Sequence, residues 1–156
     1  METYLRPMTP AEYGQWVSSM EDGYAAGIAG SGSMSADAAR AKARTETTQL
    51  LPDGLATEGQ LLFRVVAGEQ GVGWLWLATP HSVRDPGMAW VYDISVDETC
   101  RGRGYGKQIM LLAEREARAH GMTSIGLNVF GQNTVARSLY DSLGYQVTSQ
   151  QMKKTL

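Results

Sequence analysis

A short stretch rich in glycine and basic residues constrains this chain more than any other part of it. Residues 101–107 read RGRGYGK, between a run of strand-forming residues and a long helical pattern. Glycine lacks a side chain, so the backbone can approach a ligand closely and its N–H groups can converge on an anion. The helical pattern begins at Tyr105, and a helix N-terminus stabilises negative charge. Because basic side chains stand at Arg101, Arg103 and Lys107, the stretch predicts a pyrophosphate-binding loop.

The spacing of the glycines argues against two common phosphate-binding motifs. A P-loop requires GxxxxGK[ST], but counting from Gly102 places Lys107 where the second glycine belongs. The dinucleotide fingerprint GxGxxG also fails, because Gly106 follows Gly104 one residue too early. No acidic residue follows on a second strand about twenty residues later, where it would contact a ribose.

Composition narrows the class of protein. The 156 residues suffice for one domain with a real core, and 43% of them are hydrophobic, which argues against disorder. A formal charge of −2 gives no overall signal for nucleic acid or membrane as a partner. The single cysteine, Cys100, excludes an internal disulfide and a cysteine-cluster metal site, so we expect no metal. No apolar run approaches 18 residues, and we expect a cytoplasmic protein.

Hydrophobic patterning divides the chain into helices and strands. The turn at 68–71 reads as a hairpin, and 81–87 reads as a loop. The predicted strands are Tyr4–Met8, Leu61–Ala67, Val72–Thr79, Met88–Val96, Ser124–Phe130 and Tyr145–Thr155. The predicted helices cover about 10–26, 36–51, 105–120 and 133–143.

The order of these elements predicts the topology. Three successive strands with short connections form an antiparallel meander. The strand, loop, helix and strand of residues 88–130 form a right-handed crossover, which makes those two strands parallel neighbours. The glycine loop then lies at the carboxyl end of the first strand, where open sheets bind ligands. The prediction is an α/β fold (α+β type): a mixed, mostly antiparallel central sheet with one parallel strand pair at the cofactor site and about four flanking helices.

The last helix carries a second candidate cluster. Asn133 and Tyr140 are two helical turns apart and therefore lie on one side of it. A purely structural interpretation is equally complete, because Asn133 can cap the helix while Leu139 and its neighbours form a core stripe. The residues alone leave both interpretations open.

Taken together, these motifs resemble the GNAT superfamily of N-acetyltransferases, specifically a small single-domain bacterial-type member. The pattern Arg101-x-x-Gly104-x-Gly106 is similar to the superfamily's pyrophosphate loop. The order N-x(6)-Y-x(3)-G-[YF] recurs from Asn133 to Tyr145, and the strand YDISVD at 92–97 has the superfamily's form. The resemblance covers a cofactor core of 88–146 within one domain of 1–156, with variable acceptor-side helices at about 10–51.

This resemblance implies a role for each matching residue. Acetyl-coenzyme A would be the cosubstrate, and the phenol of Tyr140 would donate a proton to its departing sulfur. Asn133 would contact the cofactor arm, and the backbone N–H of Val96 would polarise the thioester carbonyl. Backbone groups of Ile94, Ser95 and Val96 would pair with the pantetheine arm, and the loop Arg101, Gly102, Arg103, Gly104, Tyr105, Gly106 and Lys107 would hold the pyrophosphate.

The general base is where this chain departs from part of the superfamily. Some members carry a glutamate on the strand that here offers Asn128, which cannot accept a proton. Asp93 on the earlier strand is available, either as the base or as a structural residue, and a water relay is a further alternative. Cys100 is interpreted as a bystander, since no histidine is near it in sequence. His81 and His120 are interpreted as loop and helix-end residues.

The leading hypothesis is an N-acetyltransferase in which a primary amine of a small molecule, peptide or protein attacks acetyl-coenzyme A directly. A second hypothesis is a GNAT-fold module that senses acyl-coenzyme A without turnover, which the missing glutamate motivates. A third, a nucleotide-binding protein of another fold, is disfavoured by the glycine spacing. The sequence leaves open a monomer or a homodimer, and it does not name the acceptor.

Overall fold

The computed structural model describes residues 2–81 and 85–156. Five strands form one sheet in the order β1-β2-β3-β4-β5, and four α-helices of the described part pack on its two faces. Short 3-10 turns cover Gly54–Ala56 and Glu98–Cys100. In chain order the main elements are β1 (Thr3–Pro7), α1 (Pro10–Gly30), α2 (Ala36–Leu50), β2 (Gln60–Ala67), β3 (Gln70–Ala78), β4 (Met88–Val96), α3 (Tyr105–Ala119), β5 (Ser124–Leu127) and α4 (Thr134–Ser142).

The topology of the sheet confirms the predicted fold class. Strands β1 to β4 pair antiparallel in sequence order, as a meander. Strand β5 joins β4 in parallel after the crossover through α3. The β2–β3 turn is tighter than predicted, because Ala67 and Gln70 already pair across Gly68 and Glu69. Of the predicted loop at 81–87, residues 82–84 lie outside the described residues.

Helix α1 begins as predicted and ends later. Thr9 accepts a hydrogen bond from the backbone of Glu12, whose carboxylate accepts one from the Thr9 N–H, and Pro10 takes the first position. The predicted end near Ala26 is wrong, since the helix runs to Gly30. The missing side chain of Gly27 lets the Phe130 ring pack directly against the helix, and this tertiary contact overrides the low helix propensity of glycine.

The two faces of the sheet bury different clusters. On one face α3 packs against β3, with Ile109, Met110, Leu75 and Leu77 fully buried. On the other face α1 places Trp16 edge-on against Trp76, with ring centroids 5.7 Å apart. Alternation along β3 produces this division, because Leu75 and Trp76 point to opposite faces. Leu112, Ala113 and Ala117 complete the buried side of α3.

The predicted last strand, Tyr145–Thr155, is wrong for this chain. Residues 145–156 carry no helix or strand. Tyr145 instead closes α4, where its N–H donates to the Tyr140 carbonyl at 3.0 Å and its hydroxyl donates to Glu114 at 3.1 Å. Strand propensity forms a strand only beside another strand, and within the described residues this segment has no such neighbour.

Candidate active site

Strand β4 has an unpaired edge beside the glycine loop. Its pairing with β5 covers Met88–Val91, whereas β4 itself continues to Val96. The N–H of Asp97 bonds the Val72 carbonyl on the β3 side. Because backbone groups of successive residues point to opposite edges, those of Ile94 and Val96 face away from β3. The Ser95 carbonyl points toward β3, where it would collide with a Cβ on Gly73.

A bulge in β4 sets the direction of the neighbouring side chains. Trp76 is opposite Asp93, and Leu77 is opposite Val91, so Tyr92 is an extra residue in β4. Tyr92 consequently stacks on Trp76, with ring centroids 4.6 Å apart, on the face that α1 covers. Asp93 also turns toward α1.

The unpaired edge, the glycine loop and α4 enclose one groove of about 300 Å³. This groove brings together most of the residues that the sequence analysis selected. Asp93 is not among its lining residues, and Arg103 and Lys107 are exposed and also lie outside its lining. The lining residues are Ile94, Ser95, Val96, Arg101, Gly102, Gly104, Tyr105, Gly106, Asn133, Val135, Ala136, Leu139 and Tyr140.

The glycine loop presents free backbone donors to the groove. Gly102 and Gly104 have φ of 73° and 81°, a conformation that favours glycine. The first intrahelical bond of α3 runs from the Gln108 N–H to the Gly104 carbonyl at 3.3 Å. The N–H groups of residues 105–107 therefore have no partner within the helix, and Gly104 provides no side-chain cap. The loop fits an anionic group such as a pyrophosphate.

Arg101 occupies the space between the loop and the unpaired edge. Its Nε donates to the Val96 carbonyl at 3.3 Å, while most of the side chain is exposed. This hydrogen bond uses the backbone acceptor that the resemblance assigns to the cofactor arm.

The structure of α4 agrees with both the structural and the functional interpretation of its sequence. Asn133 caps the helix through Oδ1, which accepts from the Ala136 N–H at 3.3 Å, and it also lines the groove. Tyr140 is 9% exposed and packs in the core, yet it borders the groove as well. Burial raises the pKa of the Tyr140 phenol, and the nearby Asp93 carboxylate raises it further. The phenol is therefore protonated near neutral pH and can donate.

Asp93 lies in contact with α1 through a hydrogen bond that the sequence analysis missed. The indole Nε1 of Trp16 donates to its Oδ2 at 3.0 Å, and Trp16 itself is 2% exposed. Burial raises the pKa of Asp93 from 3.8 to about 6, although this hydrogen bond and the Ser95 hydroxyl lower it. Trp16 and Asp93 are 77 residues apart in the sequence, and this separation offers no local signal for the contact.

A second cavity, of about 330 Å³, opens between α1 and the sheet on the face toward which Asp93 points. At its wall, Arg64 binds Asp97 with two hydrogen bonds of 3.0 and 2.6 Å. The Arg64 guanidinium also lies 4.0 Å from the ring centroid of Trp74. Trp16 lines this cavity and donates the hydrogen bond to Asp93. The lining residues are Glu12, Gln15, Trp16, Ser19, Arg64, Trp74 and Asp97.

The remaining candidates lie away from the groove. Cys100 is buried and receives a weak hydrogen bond from Gln70 at 3.7 Å. His81 stacks on Trp90, and His120 lies at the end of α3. Among residues 2–81 and 85–156, no group of three or more His, Cys, Asp or Glu is arranged to hold a metal ion. In the same part of the chain, no helix has the length and apolar character needed to cross a membrane.

Comparison with known proteins identifies the family. A model of the acetyltransferase (GNAT) family matches residues 32–145. The sequence is 33% identical to the N-acetyltransferase YycN of Bacillus subtilis (strain 168) over 158 residues, covering 100% of both chains. The crystal structure of YycN superposes with a TM-score of 0.92 at 31% identity and covers 99% of each chain.

A more distant structure shares the fold. AAC(6')-Iy, in complex with the bisubstrate analogue CoA-S-monomethyl-acetylneamine, superposes with a TM-score of 0.64 at 16% identity. That alignment covers 100% of this chain and 99% of AAC(6')-Iy. From the family match and the full-length similarity to YycN, the chain belongs to the acetyltransferase (GNAT) family.

Proposed function

We propose that this protein transfers the acetyl group of acetyl-coenzyme A to a primary amine by direct attack. One observation carries the proposal: the unpaired β4 edge, the free N–H groups of α3 and the side chain of Tyr140 meet in a single groove. The family membership supports acetyl transfer, and the shared fold of AAC(6')-Iy, bound to a coenzyme A analogue, supports the cosubstrate.

The groove matches the chemistry of acetyl-coenzyme A, which supplies an acetyl group activated as a thioester. Backbone groups of Ile94 and Val96 would pair with the amides of the pantetheine arm, as in strand addition. The N–H groups at the start of α3 would bind the pyrophosphate. Positive charge near the phosphates would come from Arg101, Arg103 and Lys107, and Asn133 would contact the pantetheine arm. We assign cofactor binding to a core at 88–146 within a single domain.

Asp93 is our candidate for the general base. Its pKa of about 6 leaves it mostly ionised at pH 7 to 8, where it can accept the proton that the attacking amine must lose. The Trp16 N–H donates to Oδ2 of this carboxylate, so we assign the incoming proton to Oδ1. Asn128 cannot serve as a base, which leaves Asp93 on β4 as the candidate.

Tyr140 is our candidate for the general acid. Its raised pKa keeps the proton on the phenol until the sulfur departs and needs it. The proton balance then closes: Asp93 gains one proton from the amine, Tyr140 gives one to the thiol product, and exchange between the two groups restores both. The Asp93 carboxylate also raises the pKa of Tyr140, which supports a proton balance shared by the two groups.

The acceptor amine would approach from the α1 face. Asp93 points to that face, and the polar second cavity lies there beside Trp16. Helices α1 and α2 thus form the acceptor side, which agrees with the variability expected for them. We place a small molecule or the end of a peptide in this space.

Two measurements test the proposal. Titration calorimetry with acetyl-coenzyme A and with ATP should show binding of the former alone. Release of free thiol, followed over polyamines, aminoglycosides, amino acids and peptides, should identify an acceptor. Tight binding without thiol release from any amine would favour the acyl-coenzyme A sensor, and preference for ATP would refute both interpretations.

A further inference from the structure

An ion pair ties the end of β4 to β2 across the strand between them. Arg64 lies in β2, and its two terminal nitrogens donate to Oδ1 and Oδ2 of Asp97 at 3.0 and 2.6 Å. The two side chains are only 13% and 28% exposed. Two parallel hydrogen bonds hold a guanidinium and a carboxylate in one orientation, and partial burial limits screening by salt. The pair is therefore a fixed contact between the two strands.

Strand β3 holds the guanidinium of Arg64 in place. Nη1 also donates to the Gly73 carbonyl at 2.9 Å, and the guanidinium lies 4.0 Å from the ring centroid of Trp74. A Cβ on Gly71 would collide with the guanidinium, so the missing side chain at that position leaves room for it. These contacts make Arg64 a rigid support for Asp97.

Asp97 connects the end of β4 to the glycine loop. It follows Val96 directly, and its N–H donates to the Val72 carbonyl at 2.9 Å. Its carbonyl accepts from the Cys100 N–H at 2.8 Å, which closes the turn that leads into residues 101–107. The position of Asp97 thus determines both where the strand edge ends and how the loop begins.

The end of β4 depends on support from the β3 side. Strand β5 pairs with β4 only over Met88–Val91, so within the described residues the stretch 92–96 has a neighbouring strand on one side alone. Segments with few partners open more easily than paired ones. Neither Arg64 nor Asp97 lines the groove. An effect of the pair on a bound cofactor would therefore pass through the backbone of Asp97.

We propose that Arg64 and Asp97 are positioning residues for the cofactor. Their ion pair holds the free β4 edge and the start of the glycine loop in the geometry that acetyl-coenzyme A binds. A preorganised edge loses less conformational entropy when a ligand pairs with it, so the pair increases affinity without touching the ligand. This inference rests on the proposed function, because it assumes that the groove binds acetyl-coenzyme A.

Calorimetry with acetyl-coenzyme A separates positioning from charge. Arg64→Met keeps an apolar stem beside Trp74 and removes the guanidinium, and Asp97→Asn removes the charge of the carboxylate. If the two side chains acted through charge alone, the phosphate-bearing cofactor would bind more weakly to the former and more tightly to the latter. Positioning instead predicts that both variants bind about tenfold more weakly, because either one breaks the pair. The double variant should bind no more weakly than Arg64→Met.

Arg6→Met is the matched control. Arg6 also forms two hydrogen bonds with a carboxylate, that of Glu12, at 3.1 and 2.6 Å, but this pair joins β1 to the start of α1. The variant removes the same charge as Arg64→Met and should leave the affinity unchanged. Equal weakening by Arg6→Met, or tighter binding by Asp97→Asn, would overturn the inference.

Hydrogen exchange of the protein without cofactor gives a measurement that does not depend on the proposed function. The amides of Asp97 and Cys100 should exchange faster in Arg64→Met than in the parent, and Arg6→Met should leave them unchanged. If Arg64→Met does not fold, Arg64→Lys keeps the charge without the bidentate geometry and should change exchange and affinity in the same direction.

The two measurements distinguish failure of this inference from failure of the proposed function. Unchanged exchange or unchanged affinity in folded variants would overturn the inference and leave the proposed acetyl transfer intact. A parent protein that binds no acetyl-coenzyme A would overturn the proposed function, and this inference with it.

Discussion

At the scale of single residues, the proposed role of Asp93 as general base leads to a pH prediction. Burial raises the pKa of Asp93 to about 6, while the Trp16 N–H keeps it from rising further. We expect kcat/KM to fall as the pH drops below about 6, because the protonated carboxyl cannot accept. Asp93→Asn should lower kcat by roughly 10²–10⁴-fold and remove this acidic limb. If Asp93→Asn kept the kcat of the parent, the general base would be water or another group.

Replacing Trp16 should move the acidic limb of the pH–rate profile in a direction that the structure predicts. Trp16→Phe keeps a ring in the cluster but removes the donor, so the pKa of Asp93 rises and the acidic limb shifts to higher pH. Trp76→Phe is the matched control, since its indole donates to Gln60 at 2.6 Å in the same cluster. The control should lose stability without shifting the limb. A pH–rate profile for each variant, measured with the acceptor, makes the comparison.

A conservative substitution of Tyr140 separates a role in proton donation from a role in packing. Tyr140→Phe keeps the ring between helix and sheet and removes the hydroxyl. We expect kcat to fall by roughly 10²–10⁴-fold, at the low end if the thiolate leaves easily, with little change in affinity for acetyl-coenzyme A. Turnover must be measured where chemistry limits the rate. Normal kcat with reduced thermal stability would leave Tyr140 with a structural role alone.

At the scale of elements, the two ends of α3 allow a controlled test of the anion site. Gly104 and Gly121 flank this helix with φ of 81° and 78°, and a Cβ at either position meets no neighbour. Gly104→Val and Gly121→Val should therefore cost similar stability, about 1–3 kcal/mol. Only the former should abolish binding of acetyl-coenzyme A, because it lies where the free N–H groups face the groove. Equal calorimetric affinities for the two variants would contradict the loop assignment.

Gly106 belongs to the same element but acts for another reason. It lies within the first turn of α3 and has no positive φ. A Cβ there would lie 3.3 Å from Cδ2 of Leu139 on α4, so glycine lets the two helices meet beside the groove. The sequence pattern placed Gly106 in the loop, and in the structure its missing side chain allows the contact with α4, while its backbone is ordinary helix.

At the scale of the whole molecule, Asp93 links stability to pH. Its pKa is raised from 3.8 to about 6 on folding, so the folded protein holds this proton more tightly. The contribution of Asp93 to the free energy of unfolding therefore decreases as the pH rises from about 4 to about 6. Asp93→Asn, whose amide oxygen can still accept from Trp16, should be more stable than the parent at pH 8 by about 1–3 kcal/mol. Denaturant unfolding of the parent and of Asp93→Asn, measured at pH 8 and at pH 4, should show a smaller difference in the free energy of unfolding at pH 4.

Sequence by itself determined the architecture of the cofactor half. Patterns between neighbouring residues are enough to predict these elements. Alternating apolar and polar residues indicate β4, glycine and basic residues indicate the loop, and apolar residues on consecutive turns indicate α3. These signals are short-range, so the meander, the parallel pair and the position of the groove all follow from neighbours in the chain.

Only the tertiary structure decided the features that join distant residues. The Trp16–Asp93 hydrogen bond, the second cavity and the extension of α1 past Gly27 each depend on contacts that no local pattern encodes. The segment after Tyr145 shows the same division, because its propensity for a strand is local but a strand needs a second backbone beside it. Propensity resides in the residue, whereas pairing, burial and the pKa of a carboxyl group depend on what the fold places next to it.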